Sequence, residues 1–514
     1  MKKLTAGGAA ALPITFAAGL VGVAFWLRTS PPVLAAILGA AAVLFVWSAL
    51  LMVAVGRSGR ELTLDVVLRK PHYVQMSAQI ILFTYWGWYV PAIRAFAPLV
   101  LAQLLFAYGF SALLGWSRRD RFELGFGPVP ISLSINFFLL FKPDWFYWQF
   151  AIVALGFLVK EFIRWERDGR SSHIFNPSSF PLAIFSLVLI LTGSTDVTLG
   201  LEIATTLFNP PNIFLVIFLV SLPGQILFGV ATMTIAAVLT TLLFGVVFHA
   251  ATGTYYFHDA YIPIAVFLGM HLLFTDPSTS PRTETGRVFY GVLYGLGTIG
   301  LAALLSTTGA PTFYDKLLPV PLLNLSVRLL DRLAPADPVG VKLSAMARGF
   351  LGGRQRLVTS GAWIVAFVAM VAWGGVGDEH EGQWVPFWDQ ACGNGSARAC
   401  EYLAQIEQNF CEDGSGWACN ELGVLLAERA GDPGRATIAM RRGCDLEFPE
   451  ACDNLEALNS GGASLTHGGV RPPDLPILLR GSKGPIRSRD VNALYAAACQ
   501  RGFPGACGSS FTGQ

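Results

Sequence analysis

The strongest constraint on this 514-residue chain is a succession of apolar runs, most of them close to the length needed to cross a bilayer. A span needs roughly 17–25 mostly apolar residues. Runs of this kind fall near residues 9–27, 33–55, 75–93, 95–116, 126–142, 145–163 and 179–194, and again near 208–224, 227–249, 260–275, 288–306 and 358–376. Several are short or interrupted by Pro and Gly, notably around Pro223-Gly224 and at 260–275, so the runs predict about a dozen spans. Composition agrees, with 53% hydrophobic and 14% charged residues, against a soluble balance of about 45–50% apolar and about 25% charged. The net charge of +2 is carried in short clusters between the runs rather than on one patch, which excludes a nucleic-acid partner.

Met1-Lys2-Lys3 and the apolar run to Leu27 have the layout of a signal peptide, but no small-residue cleavage site follows, so an uncleaved first helix is the better reading. Loops rich in Lys and Arg set the orientation. Arg57/Arg60/Arg69/Lys70, Arg118/Arg119/Arg121, Lys160/Arg164/Arg167/Arg170 and Arg282/Arg287 all follow even-numbered runs, which places these loops and the N-terminus in the cytoplasm. The basic stretch Lys342/Arg348/Arg354/Arg356 then has the wrong parity unless something crosses after 288–306. Phe313 to Leu330 is apolar but interrupted by Pro319 and Pro321; it reads either as that crossing or as an interfacial amphipathic helix.

Two polar motifs sit beside apolar runs about a hundred residues apart: Phe175-Asn176-Pro177-Ser178-Ser179 and Phe274-Thr275-Asp276-Pro277-Ser278-Thr279. Proline removes a backbone donor and restrains the residue before it. At membrane depth such breaks survive only inside protein or along a wet cavity. Corresponding interrupted helices in two halves point to an internal repeat with a site at its interface. The plainer reading is two ordinary turns, one Asn-Pro and one Asp-Pro.

These residues bring a family into view. His173-Ile174-Phe175-Asn176-Pro177-Ser178, and the run Phe274 to Pro281 continuing to Gly286-Arg287-Val288-Phe289-Tyr290-Gly291, resemble the signature segments of the Rnf D subunit and Nqr B subunit family. Its members are integral membrane subunits of ion-translocating electron-transport complexes. Leu317-Leu318-Pro319-Val320-Pro321-Leu322-Leu323-Asn324-Leu325 resembles the last membrane segment of that family, and the resemblance covers roughly residues 60–335. It implies two inverted five-helix repeats and a cofactor or ion pocket lined by Asn176, Pro177, Thr275, Asp276 and Pro277. The family's threonine, which carries FMN in an S/T-G-A-T sequence, has no counterpart: Gly229-Val230-Ala231-Thr232 and Asp196-Val197-Thr198 both depart from it. Covalent FMN is therefore not expected, and a non-covalent flavin or quinone remains. The aromatic groups Tyr85-Trp86-Gly87-Trp88-Tyr89 and Trp145-Phe146-Tyr147-Trp148 would suit a stacked ring or, more ordinarily, a membrane interface. His249 and His271 flank neighbouring runs and invite a haem; their differing depths favour core or interface histidines, and no metal is expected.

All eight cysteines lie after Gln390, in four pairs of equal spacing: Cys392/Cys400, Cys411/Cys419, Cys444/Cys452 and Cys499/Cys507. Each second cysteine follows an alanine: Ala399, Ala418, Ala451 or Ala506. Structural zinc pairs are spaced more tightly, whereas this spacing suits a helix-turn-helix junction. Helices are expected over Ala418 to Leu426 and Ala436 to Arg442, joined by the turn Gly431-Asp432-Pro433-Gly434; Cys411 to Cys444 spans 33 residues, within the α/α repeat range. The pattern resembles Sel-like, tetratricopeptide-type repeats in their disulfide-bearing form. The resemblance implies that each bridge joins the end of one repeat to the start of the next. It also implies an outer, protein-binding surface, while a Gly/Pro-rich insert from Ser460 to Arg489 makes the array irregular.

The predicted architecture is all-α: a polytopic membrane helical bundle with inverted repeats and a small C-terminal α/α repeat domain. Its parts are a transmembrane hairpin (1–57), a Rnf D/Nqr B-like membrane domain (58–335), a basic cytoplasmic linker (336–357), a last transmembrane helix (358–376) and a periplasmic Cys-paired domain (377–514). The expected setting is a bacterial inner membrane, and the expected partners are other membrane-complex subunits, lipid and a periplasmic protein. The expected role is to support electron transfer or ion translocation in a redox complex. A transporter or channel, or an assembly scaffold, is the alternative.

Overall fold

The computed structural model describes the chain except at residues 1, 5, 28–29, 168, 201–206, 208–209, 259, 351–354, 378–379, 384, 413, 462–463, 470–495, 497–498, 501–506 and 508–514. Helix dominates, and six helices are long and apolar enough to cross a bilayer: Gly8–Leu27, Pro31–Ser58, Ala97–Arg119, Ala231–Thr252, Glu284–Thr307 and Gln355–Ala372. By this measure the chain is a multi-pass membrane protein, with fewer full-length spans among the described residues than its apolar runs predict. The difference lies in where helices stop. The runs at 126–142, 179–194 and 208–224 fold as the shorter helices Pro128–Phe138, Ser179–Leu191 and Ile213–Phe228, and the run at 260–275 as Ile264–Leu272. A helix of 11 residues such as Pro128–Phe138 is about 16 Å long, roughly half the hydrocarbon thickness.

The all-α expectation also needs an amendment. Leu62–Val66 pairs antiparallel with Lys2–Leu4 and parallel with Arg121–Leu124, and Arg164–Arg167 pairs antiparallel with Arg170–His173. Leu62–Val66, Arg121–Leu124 and Arg164–Arg167 follow helix ends in the basic stretches, and Trp116 Nε1 pins the first sheet by donating to Thr63 O at 2.9 Å.

The chain divides into two compact units, Met1–Thr241 with Ile264–Ala369, and Leu242–Pro263 with Met370–Gln514. The segment 242–263 thus groups with the cysteine-bearing tail, although its sequence reads as part of the membrane domain.

In the first unit, helices close-pack where side chains are smallest. A Cβ at Gly291 would lie 2.2 Å from Met233 O, and one at Gly295 would lie 3.1 Å from Ala237 O. Glycines four apart therefore bring the helices Glu284–Thr307 and Ala231–Thr252 into backbone contact, as membrane helices commonly do. Phe313 to Leu330 divides into a turn, Thr312–Lys316, and a helix, Pro319–Leu333. Pro319 and Pro321 stand in the first turn of that helix, where no intrahelical donor is needed. They start it rather than interrupt it.

The second unit is a succession of short helices: Val385–Gly393, Ala397–Glu412, Gly416–Glu428, Pro433–Asp445 and Pro449–Ser460. Cys392–Cys400, Cys411–Cys419 and Cys444–Cys452 each join the end of one helix to the first turns of the next, with Cα separations of 4.7, 4.6 and 4.7 Å. Cys499–Cys507 is also bridged. The alanine before each second cysteine has a packing reason, since Ala399, Ala418 and Ala451 are fully buried. At the third elbow a Cβ on Gly443 would lie 2.8 Å from the Ala451 Cβ, which leaves no room for anything larger. Ala506 and most of the insert after Ser460 lie outside the described residues. The one helix junction here without a bridge is the expected turn: Gly431 takes a positive φ of 62°, Asp432 caps the next helix by accepting from the Arg435 amide at 3.0 Å, and Pro433 begins it.

The segment from 242–263 supplies part of this unit's core. Tyr255 is buried with Trp388, Trp417 and Phe410. His258 stacks on Tyr402 with ring centroids 4.2 Å apart, and Arg398 donates to Tyr256 O. Burial and the nearby Arg398 charge push the His258 imidazole down to about 3, so it packs as a neutral ring.

Candidate functional site

The two polar motifs come together in the first unit. Asn176 Nδ2 donates to Leu273 O at 2.8 Å, so the first break holds the end of the helix Ile264–Leu272, just ahead of the second. Asn176 Oδ1 accepts from the Ser178 amide at 2.9 Å, the Ser178 hydroxyl at 2.8 Å and the Ser179 amide at 3.2 Å. This caps the helix Ser179–Leu191 in a region where water cannot. Pro177 sits against the helix Tyr147–Phe162, where a Cβ at Gly156 would lie 2.4 Å from Pro177 O.

Asn324 closes the arrangement. Its Oδ1 accepts the Asn176 amide at 3.0 Å, while its Nδ2 donates to Thr279 O at 3.2 Å and Tyr290 Oη at 2.8 Å. One fully buried amide on the helix Pro319–Leu333 thus holds both breaks. Two turns further along that helix, Asp331 accepts the amides of Arg282 at 2.8 Å and Thr283 at 3.2 Å, and pairs with Arg167 at 2.7 Å. Arg167 also donates to Ser280 O at 3.0 Å, tying the hairpin 164–173 to the second motif. Asn324, Asp331, Arg167 and Tyr290 were not among the predicted site residues. The readable signal was Asn324 and Asp331, seven apart and so on one face of an amphipathic segment that also carries Ser326, Arg328 and Arg332.

The second motif is an Asx turn. Asp276 Oδ1 accepts the Ser278 amide at 2.9 Å, and Oδ2 meets His173 Nε2 and Thr279 Oγ1, both at 3.3 Å. Burial opposes the charge of Asp276, but the His173 contact, the Ser278 amide and the nearby Lys160 charge outweigh it and hold the carboxyl below its ordinary range. Thr275 Oγ1 donates to His271 O at 2.8 Å, and Pro277 O accepts from Ser280 Oγ at 3.4 Å.

The predicted residues therefore meet, but they form a joint. The polar side chains of Asn176, Thr275 and Asp276 are spent on protein partners, and the two prolines offer none. Unspent groups lie alongside. Beneath Thr275 a void of about 20 Å³ is lined by Gln225 and His271. Both polar atoms of the Gln225 amide and His271 Nε2 are buried there without a hydrogen-bond partner. That volume suits a single water. On the other side, His173 and Ser278 border a cavity of about 540 Å³.

The remaining predicted groups have ordinary settings. Thr232 donates to Glu284 Oε2 at 2.6 Å, and Asp196 lies in the short turn Thr195–Val197. Trp86 is fully buried, whereas Trp88, Trp145, Tyr147 and Trp148 are exposed, as rings at a membrane interface are. His249 stacks on Tyr255 at 4.4 Å within the second unit, and His271 belongs to the first. Among the described residues no group of three His, Cys, Asp or Glu is placed to hold a metal ion. Comparison with known proteins finds no matching family model, curated protein or solved structure.

Proposed function

We propose that this chain is an integral membrane subunit supporting electron transfer or ion translocation in a redox complex, with a periplasmic repeat domain that docks a soluble partner. The carrying observation is the joint itself: two helix breaks, about a hundred residues apart in sequence, are fastened to each other by Asn176 and Asn324. Paired half-helices meeting inside an apolar layer are how transport proteins expose polar atoms at depth without exposing them to lipid. The unspent Gln225 and His271 groups, beside a water-sized void, offer a polar step of that kind. The motifs' resemblance to Rnf D and Nqr B subunits points the same way. Inverted repeats, a cytoplasmic N-terminus and an outward tail complete the proposal, and the four disulfides favour an oxidising compartment for the tail.

A transporter or channel working without redox chemistry is the competing reading, and the same joint favours it equally. Full-length protein extracted in mild detergent separates the two by its visible spectrum and by flavin released on denaturation. The redox reading expects a non-covalent chromophore in the protein or its co-purifying complex. A chromophore-free chain that moves a solute in liposomes overturns it. Asp276→Ala is expected to impair either activity more than Asp196→Ala; equal effects remove Asp276 from the site.

A further inference from the structure

The 540 Å³ cavity lies between Val67 and Arg69, the strand Arg121–Leu124, the hairpin 164–173, and four helices: Lys70–Tyr89, Ala97–Arg119, Pro128–Phe138 and Tyr147–Phe162. Five cationic side chains line it against two carboxylates. The carboxylates are already engaged: Glu123 pairs with Arg69 and Arg121, and Glu161 pairs with Arg119 at 3.0 Å. Among the described residues, Lys160 and Arg164 have no carboxylate within ion-pair distance. Arg164 donates to Ser171 Oγ and O, both at 2.9 Å, and to Lys160 O at 3.5 Å, which leaves guanidinium donors and a charge with no carboxylate partner. Asp276 acts on Lys160 through space without an ion-pair contact. His72 stands on the cavity wall, where burial first, and then the charges of Lys160 and Arg69 against those of Asp276 and Glu123, push its imidazole down to about 4.

We propose that this cavity binds a phosphate group, with Lys160 and Arg164 as its charged contacts. An ammonium and a guanidinium lining one space match the several acceptor oxygens of a phosphate monoester. A volume of this size belongs to the range of small-molecule sites and leaves room for what the phosphate is attached to. Two sources share that chemistry, a phosphorylated small molecule and a phospholipid headgroup, and the proposal stands whether or not the chain takes part in electron transfer.

The test uses the full chain in phosphatidylcholine nanodiscs. Radiolabelled inorganic phosphate is the first probe, and phosphatidic acid added to the nanodisc, with retained lipid read by native mass spectrometry, is the second. Saturable phosphate binding is the expected result. It should weaken about ten-fold or more in Lys160→Met/Arg164→Gln, and not at all in Arg94→Gln, which removes an exposed charge outside the cavity. Lys160→Arg keeps the charge and should keep the binding, which guards against a double variant that fails to fold. Retention of phosphatidic acid without phosphate binding, lost in the double variant, assigns the site to a headgroup and supports the proposal. Binding of neither probe, or equal binding by the double variant and the wild type, overturns it.

Discussion

The two units hold their helix junctions by different chemistry. In the first, junctions between half-length helices are fixed by directional hydrogen bonds from buried amides and a carboxylate: Asn176, Asn324 and Asp331. In the second, three successive elbows are fixed by disulfides over buried alanines. The difference follows from what each has available. Lipid gives no hydrophobic drive between helices, so close packing and satisfied polar groups carry the fold. A tail of short helices has water around it but too little core, so covalent links constrain its unfolded state.

The largest expected effect comes from breaking the covalent side. Cys411→Ser/Cys419→Ser removes the most deeply buried bridge, and a loop closed by a separation of 8 residues is worth roughly 2.5 kcal/mol in the chain-entropy account. Thermal melting of the full chain should show the tail transition falling while the membrane unit's transition stays in place. Breaking the hydrogen-bonded side should cost about 2 kcal/mol: Asn324→Leu strands the Asn176 amide, Thr279 O and the Tyr290 hydroxyl. Ser186→Ala, which loses only a bond to Leu182 O within its own helix, should cost well under ~1 kcal/mol. Equal losses in detergent melts would remove Asn324 as the central tie.

A smaller effect sharpens the comparison by finding a buried polar group in the tail that lacks a tie. Glu407 is 4% exposed and its Oε2 has no hydrogen-bond partner. Burial, then Glu421 and Asp389, push its carboxyl well above the ordinary value. A carboxyl raised on folding costs nothing below its unfolded pKa, and the cost grows as the pH climbs above that value. Glu407→Gln should therefore stabilise the tail by about 1 kcal/mol at pH 7. The gain should shrink to nothing below the ordinary 4.5. A gain independent of pH would mean that packing, not charge, is the cause.

Much of this was legible in the sequence where one residue type carries one meaning. Eight cysteines in equal pairs with a preceding alanine mark elbows, and Gly431 to Gly434 marks the junction between them. Long apolar runs mark helices. What periodicity does not reveal is where an apolar run stops being helix, because 260–275 is mostly apolar on both sides of Pro263 and only nine of its residues, Ile264–Leu272, are helical. Nor does it reveal long-range partners. Asn176 and Asp276 were readable from their prolines, but Asn324 and Asp331 act across more than a hundred and about fifty residues respectively, and a polar residue in an apolar run announces burial without naming its partner. Within the unit that joins 242–263 to the tail, Tyr255 and His258 pack against Trp388 and Tyr402, contacts that no apolar period announces.

Hydrogen exchange of the full-length protein in detergent, read by mass spectrometry with and without a reductant, tests most directly whether the two units are held by independent means. The first unit contains no cysteine. Reduction should therefore strip protection from peptides covering Ala397–Glu412, Gly416–Glu428 and Pro433–Asp445, and leave those covering Ser179–Leu191 and Ile264–Leu272 unchanged. Loss of protection in both sets together, or in neither, would contradict the account.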